Sequence, residues 1–534
     1  MTTIIQLILG LVVVLVIVAV AAQRLKLAPS ILLVIAGIVL ALVPGMPPVE
    51  LAPELVLLVL LPPLIYAAGV SMSWREFRFN LRPIILLAFG CVLFTTCAVA
   101  AALHFLLGWR WATAFVLGAI VAPPDVVAPL AIARRLGLPR RLLVVLEGEG
   151  LANDATALIL YRFAVLAIAT GSFSMSKATG TFGLIVLGEI FFGIGAGWLS
   201  LRLRQWAKNP RVEITLSLMT PYLAYLIPEY LGGSGVLATV ACGLYVSWNG
   251  PRLISASTRL QGIFFWDLII YLIEGFVFLI TGLQVRTLID KAHDFPVLEL
   301  ILVTAITAAI AIVARFVWIF PATYLPRWFS PSLRRRDPSP PWQQVFILGF
   351  TGVRGVVSLA AALAIPLTVE SGAPFPNRGV ILFATFGVIV ITLVGQGLTL
   401  PTVIRWLGVN RHGRAERRRE QEAELAARNA AIDASRELLK KLAKERHLSP
   451  ATLAFLNARH DHRARLIPND LDDGLNAIHS SNDVRLELIA AERGFLYELL
   501  RDGKITDETR RRLERDLDLE EATILARRES DTPL

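Results

Sequence analysis

Cysteine, histidine and charged residues are all scarce in this chain of 534 residues. It has three cysteines and seven histidines, and only 18% of its residues are Asp, Glu, Lys or Arg. Cys91, Cys97 and Cys242 lie in apolar stretches without metal-ligand spacing, so we interpret them as small buried hydrophobic residues. No histidine lies at the centre of an apolar stretch, which argues against a histidine proton relay across a membrane.

The scarcity of charge accompanies 55% hydrophobic residues and a mean hydropathy of +0.62, a composition that excludes an ordinary soluble domain. Successive apolar stretches predict an all-α, polytopic membrane protein with about thirteen membrane-spanning helices. Three of the stretches, the second, eighth and ninth, are short or interrupted by glycine and proline, so the number is predicted to within one or two. The stretches are 3–22, 29–43, 51–70, 83–107, 111–133, 142–169, 181–203, 214–227, 234–248, 263–283, 296–325, 342–369 and 379–404.

Lysines and arginines are concentrated in every second connection between these stretches, and therefore on one side of the membrane. We count about 19 on one side and about 5 on the other, which predicts an outside N-terminus and a cytoplasmic C-terminus. The chain becomes highly charged after Ile404, with apolar residues at helical spacing. We therefore predict two domains, a transmembrane domain at 1–407 and a helical cytoplasmic domain at 408–534. The net charge of +10 follows largely from the cytoplasmic loops, so we expect no nucleic-acid partner.

Asn153 and Asp154 lie near the centre of the sixth stretch. An aspartate at the centre of a membrane helix costs roughly 2.5 to 3.5 kcal/mol, so a purely structural helix would use a cheaper residue. Asp125 lies within about one turn of the centre of the fifth stretch, directly after Pro123 and Pro124. Prolines disfavour helix and free backbone carbonyls, so the pair of carboxylates predicts an oxygen-lined site for a small cation.

Arg354 is a second costly residue, near the centre of the twelfth stretch. A guanidinium group stays charged when it is buried and needs an anionic partner. Our first choice is Glu149, on the order of 7 Å along the helix from Asp154, and our second choice is Glu274. Glycines on both helices predict their close approach. These glycines are Gly148, Gly150, Gly349, Gly352 and Gly355.

The other ionisable residues within the apolar stretches include Arg162, Glu189, Glu274 and Arg315. For these four we favour structural pairing over direct contact with a transported ion. For Asp125 and Asp154 we favour function, because two carboxylates at similar depth beside a disrupted helix have no evident structural role.

The motifs VAPPDVVAPLAIARRL, LEGEGLANDATALILYRF, IEGFVFLITGLQV and FTGVRGVVSLAAALAIP resemble those of bacterial monovalent cation:proton antiporters of the sodium/proton exchanger superfamily, NhaP-like branch. The resemblance covers residues 5–405. It implies thirteen helices in two inverted repeats, crossed and partly unwound helices at the ion site, and a homodimer in the bacterial inner membrane.

The resemblance also assigns roles to residues. It implies that Asp125 and Asp154 bind the cation and the proton, that Asn153 supports the site, and that Glu149 and Arg354 form a buried ion pair. The Asn-Asp pair implies electroneutral exchange. The resemblance as a whole implies a role in pH and cation homeostasis, and we expect no cofactor.

Departures from the family pattern leave cation selectivity open. Family members often have a serine where this chain has Gly150 and a threonine where it has Pro124, so two side-chain hydroxyl groups are missing. A carboxylate often present on the third helix is replaced by Ala67 and Ala68. Glu274 stands where an asparagine is more usual, as an additional charge at the site or a partner for Arg354.

The residues predict a secondary transporter in which a desolvated carboxylate holds either a proton or a cation. No GxxxxGK[ST] motif is evident, so we expect an ion gradient as the driving force. Sodium is the first choice of cation and potassium the alternative. A cation channel is an alternative of another class, and it would need a continuous pore without obligatory coupling. An intramembrane aspartyl protease would also place two aspartates in neighbouring spans, although it has no role for the buried arginine.

Overall fold

A computed structural model describes residues 2–44, 49, 51–170, 175–369, 372–465, 471–502 and 504–531. The chain divides into two compact units, Met1–Asn410 and Arg411–Leu534. Both units are helical. Among the described residues, the β-structure is confined to a single isolated bridge between Thr368 and Pro374.

In the part of the first unit that the structure describes, seven helices are long and apolar enough to cross a membrane, and shorter apolar helices accompany them. Each of the thirteen predicted spans coincides with a helix or with a pair of half-helices, so the fold prediction is confirmed. The helices are α1 Thr2–Leu25, α2 Pro29–Ala41, α3 Leu55–Ser71, α4 Trp74–Phe79, α5 Leu81–Leu107, α6 Trp111–Val121, α7 Val127–Arg135, α8 Arg140–Thr170, α9 Met175–Ala207, α10 Pro210–Tyr230, α11 Val236–Leu253, α12 Ala256–Lys291, α13 Val297–Phe329, α14 Pro331–Arg336, α15 Trp342–Phe350, α16 Val356–Leu363 and α17 Arg378–Leu407.

Two of the predicted spans are interrupted near their centres. The fifth consists of α6 and α7, separated by residues 122–126, and the twelfth consists of α15 and α16, separated by residues 351–355. Pro123 and Pro124 explain the first interruption, because neither can donate a helical hydrogen bond. The second contains Gly352 and Gly355, which weaken a helix. Such extended backbone is tolerated at membrane depth only where protein or a watery cavity surrounds it.

Small residues allow the helices of the first unit to pack closely. A Cβ atom added to Gly37 on α2 would lie 2.3 Å from the carbonyl oxygen of Leu279 on α12. One added to Gly282 on α12 would lie 2.2 Å from the carbonyl oxygen of Val34 on α2. The two backbones therefore touch, as small residues permit in membrane bundles.

The second unit consists of polar helices, as the sequence predicts for the C-terminal region. Ile489 and Ile524 are buried in it, and Arg493 forms ion pairs with Asp518 and Glu521. Its helices are α18 Val409–Glu445, which begins at the end of the first unit, α19 Pro450–Arg465, α20 Leu471–Arg501 and α21 Asp507–Asp531.

Candidate functional site

The two helix interruptions cross each other at the centre of the first unit. The backbone N–H of Asp125 donates a hydrogen bond of 2.7 Å to the carbonyl oxygen of Val353. Gly355 permits this approach, because a Cβ atom added there would lie only 2.0 Å from Asp125 Oδ2. The sequence thus brings two unwound segments together by removing a side chain from one of them.

At the crossing, the negative charge of Asp125 lies at the beginning of one half-helix, and the positive charge of Arg354 lies at the end of another. Asp125 Oδ1 accepts a hydrogen bond of 2.9 Å from the N–H of Val127 at the beginning of α7. Arg354 Nε donates to the carbonyl oxygen of Val121 at the end of α6. An anion at a helix N-terminus and a cation at a C-terminus both stabilise the helix dipole. The two half-helices therefore hold Asp125 and Arg354 at the crossing.

Helix α8 brings the Asn153 and Asp154 pair to the same place. Asn153 is fully buried, and its Nδ2 donates a hydrogen bond of 2.6 Å to the carbonyl oxygen of Pro124. Its Oδ1 accepts a bond of 2.7 Å from the N–H of Asp154. Asn153 therefore satisfies a carbonyl in the first interruption and ties α8 to the residue that precedes Asp125.

Glu149 pairs with Arg315 and not with Arg354, so the predicted partner is wrong. Both carboxylate oxygens of Glu149 accept bonds from Arg315, with Nη2 to Oε2 at 2.8 Å, and both side chains are almost completely buried. Arg315 Nη2 also donates to the carbonyl oxygen of Leu348, near the end of α15, at 3.0 Å. The bidentate geometry occupies both oxygens of Glu149, which explains why Arg354 finds its partners elsewhere.

The hydrogen-bond partners of the Arg354 guanidinium group are backbone carbonyls. Besides Val121, its Nη1 donates to Gly352 at 2.6 Å and its Nη2 to Ala311 at 3.5 Å. Its own N–H donates at 2.9 Å to Thr392 Oγ1, on a π-helical turn of α17. No ion pair joins Arg354 to a carboxylate, Glu274 included, among the residues that the structure describes.

The glycines that predicted close approach of the sixth and twelfth spans face other neighbours. A Cβ atom on Gly148 would meet Ile84 on α5, and one on Gly150 would meet Val126 in the first interruption. Those on Gly349 and Gly352 would meet side chains of α13. These small residues therefore pack against α5, α13 and the first interruption. A side chain larger than glycine at position 150 would displace Val126.

Asp125, Asp154 and Glu274 all line one cavity of about 900 Å³. Arg134, whose side chain is 56% exposed, lies at its rim and pairs with Glu147. Carboxylates outnumber guanidinium groups in the lining by six to three, an excess that attracts cations. The charged lining residues are Asp125, Glu147, Asp154, Glu213, Asp267 and Glu274, with Arg134, Arg204 and Arg259.

Of Arg162, Glu189, Glu274 and Arg315, three have fixed protein partners. Glu189 accepts bonds from the N–H groups of Ser234 and Leu237 at the beginning of α11. Arg162 donates to Glu229 and to the carbonyl oxygen of Gly233. Arg315 holds Glu149, and Glu274 differs by facing the cavity.

Sequence reasoning missed several residues around the site. Arg315 was visible only as one more arginine in an apolar stretch, and Thr392 carried no signal at all. Asp267 and Glu213 lie near the predicted ends of their spans, where charges are common, so nothing marked them as cavity residues.

The sequence of this chain is similar to those of known sodium/proton exchangers and antiporters. A family model described as sodium/hydrogen exchanger, transmembrane, matches residues 10–406. An uncharacterized Na⁺/H⁺ exchanger of Mycobacterium tuberculosis is 35% identical over 534 residues, 97% of each chain. The Na⁺/H⁺ antiporter ApNhaP of Aphanothece halophytica is 35% identical over 410 residues, 76% of this chain and 74% of that one. A sodium, potassium, lithium and rubidium/H⁺ antiporter of Bacillus subtilis is 35% identical over 367 residues, 66% of this chain and 54% of its own length.

A solved structure shares the fold. The sodium proton antiporter MjNhaP1 from Methanocaldococcus jannaschii, at pH 8, matches with a TM-score of 0.60 and 18% identity. The match covers 76% of this chain and 99% of that one.

Proposed function

Because the chain belongs to the sodium/hydrogen exchanger family, we propose that it exchanges sodium for protons across the bacterial inner membrane through Asp125 and Asp154. The observation that carries the proposal is the shared cavity. Two carboxylates from different helices line it at the crossing of two interrupted spans. Oxygen ligands of this kind suit a small alkali cation.

Exchange follows from competition for the same carboxylates. Removal from water disfavours an uncompensated negative charge, so Asp125 and Asp154 gain by holding either a proton or a cation. If the bundle changes its accessible side only when the site is neutralised, each flux drives the other. The chain needs no nucleotide for this cycle, because the ion gradient supplies the free energy.

In the present conformation, the cavity connects the site with the side of the protein on which Arg134 lies. Farther along α8, Arg162 lies outside the cavity lining and is bonded to Glu229 and Gly233. We expect these contacts to separate when the site becomes accessible from the opposite face. Alternating access of this kind distinguishes an exchanger from a channel, which requires one continuous path.

Asn153 supports electroneutral exchange in this scheme. Its amide side chain is neutral and is tied to Pro124, so it adds no titrating charge beside Asp154. Sodium is the first candidate, and potassium is the alternative because the Bacillus subtilis relative is named for four alkali cations. The missing hydroxyl groups at Pro124 and Gly150 leave carboxylates and carbonyls as the oxygen ligands.

The distribution of basic residues supports a cytoplasmic position for the cavity mouth, with the N-terminus outside and the C-terminal unit in the cytoplasm. A homodimer and a role in pH and cation homeostasis remain predictions from the family resemblance. No enzymatic activity is proposed, because an intramembrane aspartyl protease would leave the Arg354 and Arg315 frame without a purpose.

Everted membrane vesicles carrying the full chain test the proposal. Respiration acidifies the vesicles, and a fluorescent pH dye reports recovery after addition of sodium, potassium or lithium. We expect Asp154→Asn and Asp125→Asn to reduce recovery to the level of vesicles without the protein. The matched control is Glu76→Gln, whose ion pair with Arg140 lies outside the cavity lining; it should retain exchange within about fivefold because a partly exposed ion pair contributes up to about 1 kcal/mol. Wild-type rates in Asp154→Asn would refute the assignment.

A further inference from the structure

Three arginines from three helices converge on one carboxylate where α5 and α8 begin and α13 ends. Asp337 Oδ1 lies 2.6 Å from Arg141 Nη2, and Asp337 Oδ2 lies 2.7 Å from Arg327 Nη2. Arg82 Nη1 lies 3.9 Å from Oδ2, beyond hydrogen-bond distance. Three guanidinium groups thus share one carboxylate, and the group carries an excess of positive charge.

One donor of this cluster has no acceptor. Arg82 Nη1 is buried and lacks a hydrogen-bond partner within the part of the chain that the structure describes. A cavity of about 70 Å³ adjoins it, lined by Arg82, Arg141, Arg327 and Gln344. A water molecule occupies about 30 Å³, so the cavity has room for about two waters or a single phosphate group. The space and the unused donor both suit a small anion.

The surroundings place this cluster at the depth of lipid headgroups. Trp328 and Phe329 at the end of α13 are 75% and 76% exposed, and Phe79 beside α5 is 70% exposed. An exposed tryptophan such as Trp328 marks the boundary between hydrocarbon and water in membrane proteins. Most of the other residues that line the cavity are apolar, with Leu86 and Ile319 among them. Donors and apolar side chains therefore border the same cavity, as a lipid headgroup requires.

We propose that Arg82, Arg141 and Arg327 form an arginine pocket that binds a phosphate anion, with the headgroup of an anionic phospholipid as its source. Guanidinium groups match phosphate oxygens in charge and in geometry, and basic pockets between membrane helices bind such headgroups. The site is distinct from the ion cavity, and none of its three arginines lines that cavity.

The position of the arginine pocket gives binding a consequence. Arg141 lies on α8, which carries Asp154, and Arg327 lies on α13, which carries Arg315. A phosphate held between them joins helix ends on which the ion site is built. Binding therefore raises the thermal stability of the wild-type protein.

The test uses the purified full chain in a neutral detergent, with dioctanoyl phosphatidylglycerol, dioctanoyl phosphatidylcholine and inorganic phosphate as separate probes. Affinity is measured by microscale thermophoresis, and the melting temperature is measured with and without each probe. Arg82→Gln should weaken phosphatidylglycerol binding roughly fivefold, and the double variant with Arg141→Gln roughly 25-fold. The matched control is Arg140→Gln, which removes the same charge one residue away but whose side chain bonds Glu76, outside the pocket.

The outcomes separate the possible sources of the anion. Binding of phosphatidylglycerol that depends on Arg82 but not on Arg140 supports the lipid headgroup. Arg82-dependent binding of inorganic phosphate without phosphatidylglycerol supports the pocket with a soluble anion. Equal weakening by Arg82→Gln and Arg140→Gln, equal affinity for both lipids, or no binding by the wild type would overturn the proposal. Arg82→Lys, which retains the charge, guards against misfolding and should bind more tightly than Arg82→Gln.

Discussion

In the first interrupted span the ionisable residue of the extended segment is Asp125, which lines the cavity, whereas in the second it is Arg354, which does not. Arg354 is 1% exposed and donates to three carbonyls around it. The same backbone arrangement therefore serves two purposes. A carboxylate that solvent reaches can exchange its proton or cation, and a guanidinium group enclosed by acceptors holds the frame.

The two spans are alike in how their first halves end. Arg354 caps α6 at Val121, and Arg315 caps α15 at Leu348. They differ in charge balance, because Arg315 has Glu149 beside it and Arg354 relies on carbonyls. A buried arginine at a broken helix can therefore be stabilised by helix dipoles as well as by a carboxylate.

Arg315→Gln should give the largest loss of stability, about 3–5 kcal/mol, because it leaves the buried charge of Glu149 without a partner. The double variant Glu149→Gln with Arg315→Gln should be more stable than Arg315→Gln alone, since no unpaired charge remains. Melting temperatures in detergent compare these proteins. If Glu149→Gln rescued Arg354→Gln better than it rescued Arg315→Gln, the observed pairing would be wrong.

Gly355→Ala should have the next largest effect, because its Cβ atom would lie 2.5 Å from Asp125 Cγ. Overpacking of this kind costs about 1–3 kcal/mol, and we expect exchange to fall about tenfold as the two interruptions separate. The vesicle assay measures the rate. Gly395→Ala on α17 is the control, because a Cβ atom there meets nothing within 4 Å. Similar rates in both variants would contradict the close crossing.

Asn153→Ala should weaken the same crossing by less. It leaves the carbonyl oxygen of Pro124 without its donor, at a cost of about 1–3 kcal/mol, so exchange should fall but persist. Thr156→Ala is the matched control, since that hydroxyl group bonds within its own helix, to Ala152. A complete loss of exchange in Asn153→Ala with normal folding would instead indicate direct ion contact.

Truncation after Gly408 should have the smallest effect on exchange, within about twofold, because a domain with its own core keeps its site. All residues lining the cavity belong to the unit Met1–Asn410. The rate is measured across a range of pH in the vesicle assay. A shifted pH dependence would assign the C-terminal unit a regulatory role, and an unchanged one would leave it without that role.

Much of the ion site could be predicted from the sequence, because the free-energy cost of its unusual residues is local. An aspartate in an apolar helix and two adjacent prolines are unfavourable wherever the helix packs, so Asp154 and the break before Asp125 stand out. The partner of Glu149 could not be read in this way. Arg315 and Arg354 are both buried arginines of plausible depth, and only the packing of α13 against α8 and α15 decides between them.

Sequence by itself determined the membrane fold, the interruption before Asp125 and the residues too costly to be incidental, because hydropathy, proline and charge act through the local chain. Tertiary structure decided which of those residues meet. It joined Asp125 to Val353, Asn153 to Pro124 and Glu149 to Arg315, and it gathered Arg82, Arg141 and Arg327 at one pocket. Contacts between distant segments depend on how the helices pack, and no local pattern encodes that.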